Sequence, residues 1–186
     1  MIINLNRILA LLILIIVLPL ILLIALVILL NSGVPIIHWS KRIGKKNKPF
    51  MMPKFRTMIL EAPQKATHLL LDSEKLITKS GFFLRKTSLD EIPQLYSILK
   101  GDMNFIGPRP ALYNQNDLVE LRTKHNIHLQ KPGVTGWAQV NGRDSLSICD
   151  KVELEKFYEK NNSVYLNLKI LLLTVIKVFR RDSVSH

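Results

Sequence analysis

The sequence predicts a mostly helical α+β fold: an N-terminal membrane helix followed by a small domain that holds a short β-hairpin and amphipathic helices. Three observations carry this. Ile8 to Leu30 is an uncharged apolar run of 23 residues. From Ile92, apolar side chains recur at Leu95, Tyr96 and Leu99, the three-four spacing of a helix with one buried face. Lys48 to Thr57, with two prolines among bulky residues, reads as extended chain after the turn signal Gly44-Lys45-Lys46-Asn47.

As a helix the apolar run is about 35 Å long, enough to enter a bilayer. It is too long for a signal-peptide core and lacks a small-residue cleavage site after it, so it is expected to be retained. Arg7 is the only charge before it, whereas Lys41, Arg42, Lys45, Lys46, Lys48, Lys54 and Arg56 follow closely. The positive-inside rule then places the remainder of the chain in the cytoplasm. Residues 1–33 are therefore assigned to the membrane, with a helix break expected at Pro19, and 34–186 to a cytosolic domain. The break leaves two topologies: a kinked single-pass helix, or a re-entrant one with both ends on the cytosolic side. The residues by themselves favour crossing, because Leu18-Pro19 brings no polar group to satisfy the freed backbone of a turn inside lipid.

Further along, a helix of uncertain limits is expected within Glu61 to Lys79, others over Leu118–His128 and Lys151–Lys160, and a small sheet at most. Val164 to Phe179 is apolar apart from Lys169, with Lys177, Arg180 and Arg181 at its end. Residues 164–181 thus suit an interfacial helix with snorkelling charges, or equally a buried core helix. Trp39 fits the aromatic belt at a membrane surface. The five histidines have no metal-ligand spacing and read as surface residues. The single cysteine, Cys149, excludes an intramolecular disulfide and reads as packing in a reducing compartment.

Net charge is +12, and residues 41–110 carry 14 Lys/Arg against 6 Asp/Glu. Such a balance points to phosphate-rich partners: an anionic lipid surface, a phosphorylated small molecule or nucleic acid. Nucleic acid ranks lowest, because aromatic residues do not interleave with the basic runs.

The strongest chemical signal is Thr87-Ser88-Leu89-Asp90-Glu91-Ile92-Pro93-Gln94-Leu95. Pro93 would break an intrahelical bond if Ser88 were the N-cap, so the helix is expected to start nearer Leu89 or Asp90. Two adjacent carboxylates would then face unpaired N–H groups and the positive end of the helix dipole, which keeps Asp90 ionised as a nucleophile or metal ligand must be. Two glycine-proline loops add basic groups. Gly101–Pro110 mounts Arg109 between prolines, and Lys131–Arg143 combines three glycines, a possible anion nest, with Trp137 as a stacking surface.

Taken in order, KFRTM at 54–58, RKTSLDEIPQLYSILKGDM at 85–103, IGPRP at 106–110 and KPGVTGWAQVNGRD at 131–144 resemble the bacterial sugar transferase family, in its small monotopic phosphoglycosyl transferase form. The resemblance covers essentially the whole chain. It implies an enzyme at the bacterial inner membrane, its catalytic domain on the cytoplasmic face, that transfers sugar 1-phosphate from a UDP-sugar to polyprenyl (undecaprenyl) phosphate and releases UMP, an opening step of glycan assembly. It implies magnesium, a nucleophile at Asp90 and a metal-assisting carboxylate at Glu91, with Asp90 itself a second metal ligand. Arg85, Arg109 and Arg143, and secondarily Lys54 and Arg56, become the expected phosphate ligands. It also implies a re-entrant N-terminal helix, against the preference drawn from the residues alone. The chain departs from the family pattern at Leu18, where a serine is usual, at Asn6-Arg7-Ile8, and at Leu154-Glu155 and Asn167, where aspartates are common.

Two other readings accommodate the same features. A polybasic membrane anchor that binds anionic lipid without catalysis would keep its lipid binding when Asp90 is replaced by Asn, and a nucleotide-sugar diphosphate hydrolase would need no lipid acceptor. The sugar itself and the oligomeric state are not legible in the residues.

Overall fold

The computed structural model describes residues 5–62, 73–142 and 145–180. The chain opens with α1 (Leu5–Ser32), followed by β1 (Ile37–Ile43), β2 (Pro49–Phe55), α2 (Lys79–Lys86), a 3₁₀ helix over Leu89–Gln94, α3 (Leu95–Lys100), β3 (Asn104–Ile106) and β4 (Ala111–Leu112). α4 (Asn116–Lys124), β5 (Gly133–Thr135), α5 (Trp137–Val140), α6 (Ile148–Lys160) and α7 (Val164–Arg180) complete it. The fold is mostly helical with small sheets, as expected. Its described residues divide into two compact units, one built from 5–40, 52–62 and 73–99, the other from 41–51, 100–142 and 145–180.

In the first unit α1 continues without interruption through Pro19. The break expected there is absent as a gap in the helix, since a proline removes one backbone donor and the turns on either side can hold the remaining ladder. α1 is the one helix among the described residues long and apolar enough to cross a membrane. Its C-terminal half is part of the core: Ile24 and Ile28 are buried with Phe55 of β2 and Leu84 of α2, and Ile21, Ala25, Ile36, Ile37, Leu89 and Ile92 pack around them. Towards the other end Leu9, Leu11, Leu12, Ile15, Ile16 and Leu18 are exposed.

The hairpin is where the sequence places it, and it forms a three-stranded sheet in the order β2-β1-β4. Lys46 and Asn47 take left-handed conformations in the turn, at φ 58° and 57°. Of the helix expected within Glu61–Lys79, residues 63–72 lie outside the described residues; Ser73–Leu76 is a 3₁₀ turn and α2 starts at Lys79. Thr78 caps α2, accepting from the Gly81 N–H at 3.0 Å.

In the second unit α4 and α6 occupy the expected segments. Ala111, Leu118, Ile127 and Val152 form one core, and Val140, Tyr158, Leu166 and Ile170 another. Arg122 of α4 and Glu155 of α6 are both buried and pair in a bidentate fork, Nε to Oε2 at 2.8 Å and an NH2 to Oε1. α7 buries Leu166 and Ile170 and leaves Tyr165, Leu168, Leu171, Leu172 and Val175 exposed, so it is a half-buried helix with an apolar outer face rather than a core helix. The α7 hydroxyl of Thr174 meets that of Thr135 in β5 at 2.7 Å. Cys149 is exposed, not packed as expected: it falls in the first turn of α6, one turn before the buried Val152.

The two glycine-proline loops are joined as parallel strands, Asn104 opposite Gly133 and Ile106 opposite Thr135. Gly107 N–H donates to Thr135 O and Gly133 N–H to Pro108 O, each at 2.9 Å. A Cβ on Gly133 would lie 2.1 Å from the Gly107 nitrogen, and one on Gly136 2.2 Å from the Gly107 carbonyl oxygen. These glycines are present because two backbones touch. The Gly133 N–H is spent in that contact and is not available to the anion nest the sequence invites.

Candidate active site

The adjacent carboxylates Asp90 and Glu91 sit immediately after a sharp reversal of the chain. α2 ends at Lys86, and Ser88 adopts φ 57°, a left-handed conformation uncommon outside glycine and asparagine, with its N–H on the Arg85 carbonyl at 3.1 Å. Ser88 makes no side-chain cap, and its carbonyl accepts from the Glu91 N–H at 3.2 Å. The helix starts at Leu89, as expected, but its first six residues are 3₁₀ and only Leu95–Lys100 is α-helical. Pro93 accounts for this: it supplies no N–H and disfavours the α conformation in Ile92. The reversal brings the last turn of α2, with Arg85, against the first turn that carries Asp90 and Glu91.

Asp90 is 8% exposed. Lys54, near the end of β2, points its ammonium at both carboxylates, 2.7 Å from Glu91 Oε1 and 3.8 Å from Asp90 Oδ2. Arg85 donates its Nε–H to Thr57 Oγ1 at 2.9 Å. Burial lowers the Arg85 guanidinium from its ordinary value, and the nearby charge of Asp90 opposes that shift; an arginine remains cationic regardless. Two cations and two anions are thus gathered in a partly desolvated corner of the first unit, in approximate charge balance. Lys54, ranked behind the arginines from sequence, is the residue that touches the dyad directly.

The other predicted phosphate ligands fare differently. Arg56 is buried and turned to the C-terminal end of α1, donating to the carbonyls of Ser32, Gly33 (2.7 Å) and Val34 (2.9 Å). It neutralises the negative end of the helix dipole and satisfies carbonyls that have no intrahelical partner. Its hydrogen bonds leave it a structural task at this position. Arg56→Ala is expected to destabilise the protein by about 2–3 kcal/mol, the range for hydrogen bonds to a charged group, read as a lower thermal unfolding midpoint in detergent. Arg109 is half-buried and belongs to the second unit, between β3 and β4. Arg143 lies outside the described residues. Trp137 is already stacked on Phe157, with centroids 5.7 Å apart, and has Lys169 Nζ 5.6 Å from its ring centre.

Next to the dyad an apolar cavity of about 430 Å³ lies between α1 and α2. Leu20, Leu23, Ile24 and Val27 line one wall, Phe83, Leu84 and Leu89 the other, and Asn31, Lys79 and Ser80 supply its polar groups. Leu89, one of its wall residues, directly precedes Asp90 in the chain. An amphiphile with an anionic head and a hydrocarbon tail matches this lining.

A family model described as bacterial sugar transferase matches residues 3–181. The chain belongs to the bacterial sugar transferase family. Among its relatives, it is 44% identical over 162 residues to an uncharacterized sugar transferase, EpsL, of Bacillus subtilis (strain 168), covering 86% of this chain and 78% of that protein. It is 39% identical over 182 residues to the UDP-glucose:undecaprenyl-phosphate glucose-1-phosphate transferase of Escherichia coli (strain K12), covering 92% of this chain and 39% of the relative. It is 35% identical over 168 residues to the undecaprenyl-phosphate galactose phosphotransferase of Salmonella typhimurium, covering 82% of this chain and 35% of the relative. The chain therefore spans little more than a third of the length of those two named transferases. The family is one of sugar-phosphate transferases, and this member is an enzyme of that kind.

Proposed function

We propose that this sugar transferase moves sugar 1-phosphate from a UDP-sugar to undecaprenyl phosphate, with Asp90 as the nucleophile. The observation that carries the reading is a buried Asp90 placed beside the cations Lys54 and Arg85, directly after Leu89, a wall residue of the apolar cavity between α1 and α2. In the first step an Asp90 carboxylate oxygen forms a bond to the phosphorus nearest the sugar. The bond from that phosphorus to the bridging oxygen breaks, and UMP departs with the electron pair. In the second step an oxygen of the lipid phosphate attacks the same phosphorus and releases the Asp90 carboxylate, so one displacement between two anions becomes two. Lys54 and Arg85 offset the charge of the phosphates, and Arg85 suits a planar, forked contact.

Asp90 and Glu91 offer hard oxygen donors of the kind Mg²⁺ prefers, and among the described residues no group of three or more His, Cys, Asp or Glu surrounds them. A cation held here would complete its shell from substrate phosphate and water, the usual habit of magnesium. When bound it would supply charge neutralisation to the diphosphate. Since Lys54, Arg85, Asp90 and Glu91 already balance, a dianionic substrate arriving with a divalent cation leaves the corner balanced as well.

The packing of α1 supports a helix that enters the bilayer without crossing it. From Leu20 onward one face of α1 lines the cavity or packs against Phe55 and Leu84, while Leu22, Leu26, Leu29 and Leu30 on its other face stay exposed. Leu5 to Pro19, the part outside that core and cavity, is roughly 22 Å long against a hydrocarbon core of about 30 Å. The exposed apolar face of α7 and the basic excess suit contact with an anionic leaflet. The test is UMP release by the detergent-solubilised protein given a panel of UDP-sugars. Repeated turnover that requires both polyprenyl phosphate and Mg²⁺ is the expected result; release without lipid that continues beyond one UMP per enzyme would mean a hydrolase, and none with any donor would remove the reading.

A further inference from the structure

Four consecutive residues, Lys54-Phe55-Arg56-Thr57, each tie a different part of the first unit to β2. Lys54 reaches the dyad, Phe55 the α1 core, Arg56 the end of α1, and Thr57 the helix α2. Thr57 is held at both ends. Its carbonyl accepts from the Thr78 N–H at 3.0 Å and is so close to Gly81 that a Cβ there would lie 2.2 Å from the oxygen. Its hydroxyl accepts from Arg85 Nε at the far end of the same helix. Thr57 is 6% exposed, so no solvent competes for that hydrogen bond.

We propose that Thr57 is a positioning residue for the transfer reaction: its hydroxyl fixes the Arg85 guanidinium so that the two terminal nitrogens face the phosphate beside Asp90. The proposal rests on the transferase reading above. A guanidinium has five donors in a rigid plane, and anchoring Nε leaves one rotation fewer for the remaining fork. Because the constraint acts on a group that meets charge at the reacting phosphorus, its loss falls mainly on kcat and less on the KM for the nucleotide sugar.

The test is a double-mutant cycle with Thr57→Val, which keeps the shape and removes the acceptor, and Arg85→Gln, with Thr57→Ser as the conservative control. Turnover of the UDP-sugar that the wild type uses is measured for every variant, with thermal unfolding midpoints alongside. Thr57→Val is expected to lower kcat on the order of 10- to 100-fold, the range for a hydrogen bond to a charged group, while Thr57→Ser stays within a few-fold of wild type. In the Arg85→Gln background Thr57→Val should cost little more. Equal losses with and without Arg85, or a loss in Thr57→Ser as large as in Thr57→Val, would overturn the positioning role and leave the transferase reading standing. Loss of kcat that merely tracks a lowered unfolding midpoint would overturn it too. A wild type that turns over no donor would overturn both.

Discussion

Asp90→Asn is expected to abolish UMP release, by about a thousandfold or more, in a protein that still folds and still binds membranes. The amide is nearly the same size and Lys54 keeps its 2.7 Å hydrogen bond to Glu91, so the corner between α2 and the 3₁₀ helix survives. It is, however, a poor nucleophile and cannot carry the sugar phosphate. The measurement is UMP release beside intact-protein mass after brief exposure to the UDP-sugar without lipid acceptor. Wild type should gain the mass of one sugar phosphate and the variant none. A variant that retains more than a few per cent of turnover would move the nucleophile elsewhere. If membrane binding were the chain's only activity, wild type and variant would be indistinguishable in both readouts.

The second large effect is on stability. Glu155→Ala leaves the Arg122 guanidinium buried between α4 and α6 without its fork partner, and breaking such a pair costs about 3–5 kcal/mol. The unfolding midpoint should fall on the order of 10 °C. Replacing both members with leucine should recover much of the loss, because the desolvation of two charges is then no longer required. If Glu155→Ala alone proves neutral, the fork is not the buried, solvent-free pair described here. The result also bears on a departure from the family pattern: a glutamate at 155 reaches Arg122 from α6, so its role here is to join two helices.

What the sequence disclosed and what it hid follow from the range of the forces involved. The apolar run, the hairpin turn and the helices over 116–124, 148–160 and 164–180 were legible, because periodicity and turn chemistry act over a few neighbouring residues. The dyad was legible for the same reason, with Pro93 marking where the helix had to start. Its 3₁₀ form was not, since that depends on the left-handed Ser88 and on α2, which the leucine-poor segment Lys79–Lys86 did not announce. The parallel pairing of β3 with β5 was also hidden. Its only trace is the glycines at 107, 133 and 136, which read equally well as phosphate-loop residues until the two backbones are seen in contact. The separate fates of Lys54, Arg56 and Thr57 were invisible for a further reason: three polar residues within one short strand end can be told apart only by what the rest of the chain brings to each. The transferase assignment itself came from four motifs in order, not from composition or charge.

The burial of Ile24 and Ile28 against Phe55 and Leu84 makes the anchor and the catalytic unit a single hydrophobic core. The first unit thus has no complete interior of its own until α1 is in place, and α1 has no stable surroundings in water. Insertion and maturation of the active corner become one event. A chain in which α1 is out of place would be left with an unfinished core, so association with a membrane and folding of the first unit are coupled.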